Sequence, residues 1–103
     1  MEMTMLKEYS DKFGLSEVTN DMGECRKTRP NNSIVFRNGW VASIIPTHDT
    51  RFEYSVAMCD YNGYFNWSIL NNYGAHNGHF TCESELDIII ACETIRRLPE
   101  EQS

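Results

Sequence analysis

Three potential metal ligands, His76, His79 and Cys82, recur at three-residue intervals in the stretch HNGHFTC. Imidazole nitrogen and thiolate sulfur are common zinc ligands, and their close spacing is typical of half of a structural zinc site. A closed site needs a fourth ligand, which only the fold can bring, from Cys25 or Cys59. The alternative is a glycine-rich surface loop with two histidines, followed by a helix. We favour this alternative, so the sequence predicts no metal.

Nucleophiles and acid–base groups are present, but no local motif arranges them for catalysis. The composition permits a Cys59–His48 pair, although neither a strained nucleophile elbow nor a glycine-rich phosphate loop accompanies it. Paired carboxylates would come from Glu83, Glu85 and Asp87, which have the pattern of a solvated helix terminus. We therefore predict a non-catalytic protein without a cofactor.

Tyrosines beside predicted turns are better candidates for a binding role. Tyr61, Tyr64 and Tyr73 lie in or next to turn sequences, where a small core has difficulty burying them. Exposed aromatic side chains are enriched at the hot spots of protein interfaces. The alternative is that these rings fill a small core and its rim. We predict that the three tyrosines anchor a protein partner.

The charge of the chain is unevenly distributed. Residues 1–51 carry as many bases as acids, so residues 52–103 hold the whole net charge of −6. No cation occurs between Arg51 and Arg96, and a surface for a phosphate backbone needs clustered lysine and arginine. We therefore expect no direct nucleic-acid binding and instead a partner protein with a basic surface. The acids predicted to face it are Glu83, Glu85, Asp87 and Glu93.

The composition is typical of one small soluble domain, with 103 residues, 41% hydrophobic and 23% charged. The longest apolar run, Ile88–Cys92, is far shorter than the roughly 20 residues that cross a bilayer. The N-terminus has acids where a signal peptide has cations. We predict a cytoplasmic protein without a membrane partner. Its single domain spans residues 1–103, with 1–32 an N-terminal segment of open role and 99–103 a frayed tail.

Hydrophobic periodicity predicts an α+β fold: a four-stranded antiparallel β-meander with a C-terminal α-helix packed on one face and a short N-terminal helix. Apolar residues at three- and four-residue spacing predict that N-terminal helix over 3–13. Residues 16–32 are polar and predict a loop. Period-two alternation and two Asn-Gly turns, the first expected to be of type I′, predict the strands. The strands are 33–37, 40–45, 52–59 and 64–70.

A helix over residues 82–98 is predicted to cover the apolar face of this sheet. It follows a loop at 71–79, and Thr81 is a suitable N-cap. Strand alternation places Phe65, Trp67 and Ile69 on one face of the last strand. The aromatic residues predicted to lie in the core are Phe52, Tyr54, Phe65 and Trp67. The helix positions expected to face the sheet are Leu86 or Ile88, then Ile89, Cys92, Ile95 and Leu98.

Three stretches between residues 34 and 98 form a recognisable pattern: FRNGWVASII, FEYSVAMCDYNG and FTCESELDIIIACETIRRL. In this pattern the chain resembles small accessory proteins of phages and prophages that lack an assigned activity. The resemblance implies a protein that binds and blocks a host protein in the host cytoplasm, and inhibitors of CRISPR effectors are one such group. An acidic surface suits that role because it can occupy a basic nucleic-acid channel. The alternative is a homodimeric structural or assembly protein.

Overall fold

The computed structural model describes residues 3–101 and confirms the α+β class. Seven strands form two antiparallel sheets, so the single four-stranded meander is wrong. Strands β3, β4, β5 and β6 are neighbours in that order, β7 also pairs with β5, and β1 and β2 form a separate hairpin. None of the helices within residues 3–101 has the length and apolarity to cross a membrane. The elements are α1 (Thr4–Phe13), β1 (Glu17–Thr19), β2 (Cys25–Lys27), β3 (Ser33–Val35), β4 (Trp40–Pro46), β5 (Tyr54–Asp60), β6 (Phe65–Asn66), a 3-10 helix (Ile69–Tyr73), β7 (Phe80–Cys82) and α2 (Glu85–Arg96).

The main core lies between one face of the larger sheet and the two helices. Alternate side chains of β4 and β5, such as Ile44 and Val56, point to this face and are fully buried. Helix α2 covers them as predicted, and of the two alternatives at its start Ile88 is buried whereas Leu86 is 56% exposed. The buried residues of α2 are Ile88, Ala91, Cys92 and Ile95.

The predicted N-terminal helix is confirmed as α1, which lies beside α2 on the same face of the sheet. Its Leu6 is fully buried in the main core, and Met3 just before it is 3% exposed. Burial of Leu6 alone is worth about 2 kcal/mol. The N-terminal segment is therefore part of the packed structure.

Residues 16–32, predicted to be a loop, contain the β1–β2 hairpin. Its strands are three residues long and mostly exposed, so they carry no hydrophobic alternation that a sequence pattern can reveal. The turn is closed by Asn20, whose Oδ1 accepts hydrogen bonds from the amides of Met22 and Glu24, each at 2.9 Å. Val18 packs against a second, smaller core on the other face of the sheet.

The predicted strand over 64–70 ends at Asn66, which changes the position of its aromatic side chains. The Asn66 Oδ1 accepts hydrogen bonds from the amides of Ser68 and Ile69, which turns the chain into the 3-10 helix. Leu70 then becomes the buried residue, while Phe65 is 41% exposed and Trp67 is 55% exposed. The prediction that both aromatic rings belong to the core is wrong.

The predicted helix start at Thr81 is also wrong, because Phe80–Cys82 extends the sheet as β7. Thr81 pairs with Ser55 of β5. The N-cap of α2 is Ser84, whose Oγ accepts a hydrogen bond from the amide of Asp87 at 3.1 Å.

The first Asn-Gly turn forms a tight hairpin, although not of the expected type I′. The Gly39 amide donates to the Phe36 carbonyl, and Gly39 has a φ of 95° whereas Asn38 is not in the left-handed region. This is a three-residue loop ending in a left-handed glycine. The type I′ geometry occurs instead at Asn77 and Gly78, with φ values of 53° and 83°.

Candidate functional site

The structure does not bring the three potential zinc ligands together. The backbones of His76 and His79 hydrogen-bond to each other across the Asn77–Gly78 turn. Cys82 is 1% exposed within the main core, where burial raises the pKa of its thiol to about 11. Within residues 3–101 no group of three or more histidine, cysteine or acidic side chains is placed to hold a metal ion.

All four thiols are less acidic than an ordinary cysteine. Burial raises the pKa of Cys59, Cys82 and Cys92. Cys25 is exposed, and the hydrogen bond from its thiol to the carboxylate of Glu17, at 3.1 Å, raises its pKa. These raised pKa values disfavour the thiolate form, which is the nucleophile in cysteine catalysis.

The Cys59–His48 pair is not assembled. His48 lies in the exposed loop between β4 and β5, where its Nδ1 accepts a hydrogen bond from the Thr50 amide at 3.2 Å. Cys59 lies near the opposite end of β5, five residues beyond Tyr54. At about 3.3 Å per residue, Tyr54 and Cys59 are roughly 17 Å apart along β5, and His48 lies in the loop before Tyr54.

Glu93, one of the four predicted partner-binding acids, holds α1 and α2 together. Its carboxylate accepts hydrogen bonds from the Tyr9 hydroxyl at 2.6 Å and from the guanidinium groups of Arg96 and Arg97. The Arg96 guanidinium also lies 4.3 Å from the ring centre of Phe13. The hydrogen bond from Arg96 lowers the pKa of Glu93 to about 2. This charge is neutralised within the protein and is poorly suited to meet a partner.

Two more of the predicted acids cap helices. The Glu85 Oε2 accepts a hydrogen bond at 2.8 Å from the amide of Leu6, one of the unpaired donors in the first turn of α1. The Asp87 Oδ2 accepts one from the amide of Glu83 at 3.1 Å, beside the N-cap of α2. The side chains of Glu83 and Asp87 are both exposed. Because the Asp87 carboxylate accepts a backbone hydrogen bond, Glu83 is the predicted acid whose side chain contributes least to the fold.

The contribution of Glu93 should depend on pH. Its pKa is lowered from 4.5 to about 2 by folding, so its stabilisation is complete above about pH 4.5 and is lost as the pH falls towards 2. Relative to the wild type, Glu93→Gln should lose about 2 kcal/mol of unfolding free energy at pH 7 and progressively less below pH 4.5. Urea unfolding at several pH values measures this difference. Glu83→Gln is the control, with a change below about 0.5 kcal/mol, and a Glu93→Gln deficit that is the same at every pH would contradict the assignment.

The three predicted tyrosine anchors have different environments. Tyr61 is half-buried, donates its hydroxyl hydrogen to the Phe36 carbonyl, and accepts a hydrogen bond from Arg26 Nε at its own carbonyl, 2.9 Å away. These contacts join the Tyr61 turn to the hairpin between β3 and β4 and to the β1–β2 hairpin. Tyr64 and Tyr73 are 71% and 54% exposed and are accessible to a partner.

Four exposed aromatic side chains lie together in sequence at β6 and the 3-10 helix. We call this set, Tyr64, Phe65, Trp67 and Tyr73, the aromatic edge, because β6 is the last strand of the larger sheet. The rings of Phe65 and Trp67 are stacked, with centres 5.1 Å apart and planes at 10°. Only two residues of β6 pair with β5, so the strand is too short to bury its own side chains.

A groove of about 430 Å³ adjoins the aromatic edge at Tyr73. The C-terminal segment forms part of it, and the Glu101 amide donates a hydrogen bond to the Asn38 carbonyl at 2.7 Å. That bond orders part of the predicted frayed tail, whose residues 102 and 103 lie outside the described range. Apolar side chains and two carboxylates share the groove. Its lining residues are Trp40, Asn66, Ile69, Tyr73, Leu98, Pro99, Glu100 and Glu101.

Sequence reasoning missed Trp67, Glu100 and Glu101 as candidate binding residues. Alternation placed Trp67 in the core, and the two glutamates lay in a segment predicted to fray. The one local signal was Asn66, an amide that favours a turn and interrupts the strand after its second residue. Nothing in the sequence placed the C-terminal carboxylates beside the aromatic residues.

Comparisons of the chain with known protein families, curated proteins and solved structures find no match. The resemblance to phage accessory proteins therefore stays a prediction, and a function for the aromatic edge has to be argued from its own geometry.

Proposed function

We propose that this chain is a non-catalytic protein that binds another protein through its aromatic edge. One observation carries the proposal: Tyr64, Phe65, Trp67 and Tyr73 are 71%, 41%, 55% and 54% exposed within ten residues of sequence. Exposed aromatic side chains such as the stacked Phe65–Trp67 pair are typical of interaction surfaces, since solvation of such rings is unfavourable and their burial dominates hot-spot energies.

The chemistry of the adjoining groove favours a partner that is both apolar and basic. The exposed Tyr73 and Pro99 offer apolar contacts, and Glu100 and Glu101 offer negative charge. These two carboxylates replace the helix acids as the charged part of the proposed site. The net charge of −6 adds long-range attraction for a basic partner, which raises the association rate at low salt.

The thiol and histidine environments support a binding role over a catalytic one. The pKa of each cysteine is raised, and His48 lies in the loop before β5 whereas Cys59 lies near the other end of that strand. A protein that acts by occupying a surface needs neither group. If the partner is a host protein that binds nucleic acid, occupation of its basic channel would inhibit it, as the phage resemblance implies.

The aromatic edge is tested by substitution of Trp67. A partner captured from extracts of cells that express the protein is identified, purified and titrated by calorimetry with each variant. Trp67→Ala should weaken binding about 30-fold, equivalent to about 2 kcal/mol, because a large anchor is lost from the interface. Leu86→Ala is the matched control, since Leu86 is equally exposed, at 56%, on the outer side of α2. We expect its affinity to change less than about threefold.

The outcomes separate the proposal from its alternatives. Equal loss of affinity in both variants, or none in Trp67→Ala, would place the interface elsewhere. Sedimentation of the purified chain addresses the homodimer: a mass of two chains that reverts to one in Trp67→Ala would show that the aromatic edge pairs with its own copy, which contradicts a partner of different sequence.

A further inference from the structure

A second concave surface lies on the face of the larger sheet that the helices do not cover. This cleft, of about 340 Å³, is bounded by the β1–β2 hairpin, and we call it the hairpin cleft. Its volume is within the range of small-molecule sites. A row of cross-strand neighbours forms its apolar floor, and Ser33 and Ser43, paired in the next row, add hydroxyl groups. Most of this floor is covered by the second core, and Phe65, 41% exposed, is its accessible member. The apolar row is Val35, Val41, Cys59 and Phe65.

Three cations line the hairpin side of this cleft: Arg26, Lys27 and Arg29. Among residues 3–101 none of the three takes part in an ion pair, although the chain has 15 acids and 9 lysines and arginines. Glu17 is opposite Lys27 across the hairpin, but its carboxylate accepts the hydrogen bond from Cys25. Unpaired cations that gather at one cleft of an acidic protein indicate an anionic ligand.

Arg26 is held in place before any ligand binds. Its Nε donates to the Tyr61 carbonyl at 2.9 Å, and its Nη2 lies so close to Gly63 that a side chain at that position would collide with it. Of the three Arg26 guanidinium nitrogens, Nε is the one that donates a hydrogen bond to an acceptor within residues 3–101. The terminal nitrogens therefore remain as a fixed fork, the geometry that recognises phosphate oxygens in pairs.

We propose that the hairpin cleft binds a nucleoside monophosphate or a phosphorylated ring compound of similar size. The guanidinium of Arg26, with Arg29, contacts the phosphate, and the ring lies against the exposed Phe65 at the end of the apolar row. Lys27 follows Arg26 on the same strand and points to the opposite face of the hairpin, so it adds positive charge to the cleft without a direct contact. A long nucleic acid fits less well, because the net charge of −6 repels a polyanion and the cations are confined to residues 26–29. The site is independent of the protein interface and shares only Phe65 with the aromatic edge.

Tryptophan fluorescence and calorimetry can test this site. Trp67 stacks on Phe65 and is 55% exposed, whereas Trp40 is 7% exposed and acts as a constant background. Titration with adenosine, guanosine or uridine 5′-monophosphate should change the Trp67 emission. The affinity of the best nucleotide should exceed that of its nucleoside and of inorganic phosphate by at least about tenfold each, since both halves of the cleft contribute.

Variants assign the phosphate contact. Arg26→Gln and Arg29→Gln should each weaken nucleotide binding by about tenfold or more. Arg29 is exposed, so its variant keeps the fold even if loss of the Arg26–Tyr61 bond lowers stability. Arg37→Gln removes an exposed cation that does not line the hairpin cleft and should leave the affinity unchanged.

Several results would overturn the proposal. One is no calorimetric signal with any of the three nucleotides at about 5 mM. Another is equal affinity for inorganic phosphate, which would indicate a simple anion site, and a third is unchanged binding in a folded Arg29→Gln variant. Affinity that rises with the length of a single-stranded oligonucleotide would replace the ligand with a polyanion. The two proposals can fail separately, because Trp67 does not line the cleft. Calorimetric titration of nucleotide is therefore informative whatever effect Trp67→Ala has on partner binding.

Discussion

Replacement of Leu6 by alanine is expected to lower the free energy of unfolding by about 3 kcal/mol. The Leu6 side chain is fully buried, and it belongs to the same apolar cluster as Ile88 and Ile95 of α2 and Phe36 after β3. Truncation leaves a cavity between the two helices and the sheet, which rigid neighbours cannot fill completely. The effect is large for a domain of 103 residues, whose total stability is about 5–15 kcal/mol.

The neighbouring residue provides the control for this measurement. Met5 lies on the same helix, has a side chain of similar size and is 47% exposed. Met5→Ala should change the urea-unfolding free energy by less than about 0.5 kcal/mol. If Leu6→Ala lowered the free energy of unfolding as little as Met5→Ala does, α1 would be loosely attached. The packing of Leu6 between α2 and the sheet would then be wrong.

Asn38→Asp is expected to cost about 3 kcal/mol, because a donor that serves several carbonyl groups becomes a negative charge beside them. The Asn38 Nδ2 donates to the carbonyls of Ile95, Arg96 and Leu98 at 2.8, 3.1 and 3.2 Å. Its Oδ1 accepts a hydrogen bond from the Trp40 amide at 3.1 Å. One amide therefore closes the first hairpin and satisfies the C-terminal end of α2 at the same time.

The second hairpin supplies the control for Asn38. Asn62 occupies the equivalent position before Gly63, but its side chain hydrogen-bonds to the exposed Asp21. Asn38→Ala should therefore destabilise the protein by about 2 kcal/mol and Asn62→Ala by less than about 1 kcal/mol. Protonation of the introduced carboxyl at low pH should recover part of the Asn38→Asp loss. Equal effects of the two alanine substitutions would show that Asn38 acts only within its own turn.

The sequence predicted the parts of the fold that depend on strong local periodicity. Alternation over residues 52–59 identified β5, which the structure places at Tyr54–Asp60, and three- and four-residue spacing identified α1 and the body of α2. It failed where the local signal was weak or ambiguous. The hairpin at residues 17–27 has exposed three-residue strands, and the alternation of Phe65 and Trp67 continued past the point at which Asn66 turns the chain.

The candidate sites show the same division. Residue type alone identified Tyr64 and Tyr73 as exposed aromatics beside turns. The roles of charged groups were not predictable, since one acid near an end of α2 faces solvent, as Glu83 does, and another binds Tyr9 and two arginines, as Glu93 does. The difference depends on a residue 84 positions away in the chain.

The amino-acid sequence by itself determined the α+β class, the two helices and the two central strands, because side-chain burial repeats with the period of each element. Tertiary structure alone decided which charges are neutralised, which aromatic rings remain exposed and which cations gather at the hairpin cleft. These properties depend on contacts between residues far apart in the chain, such as Arg26 with Tyr61 and Asn38 with the end of α2, and no local pattern encodes them.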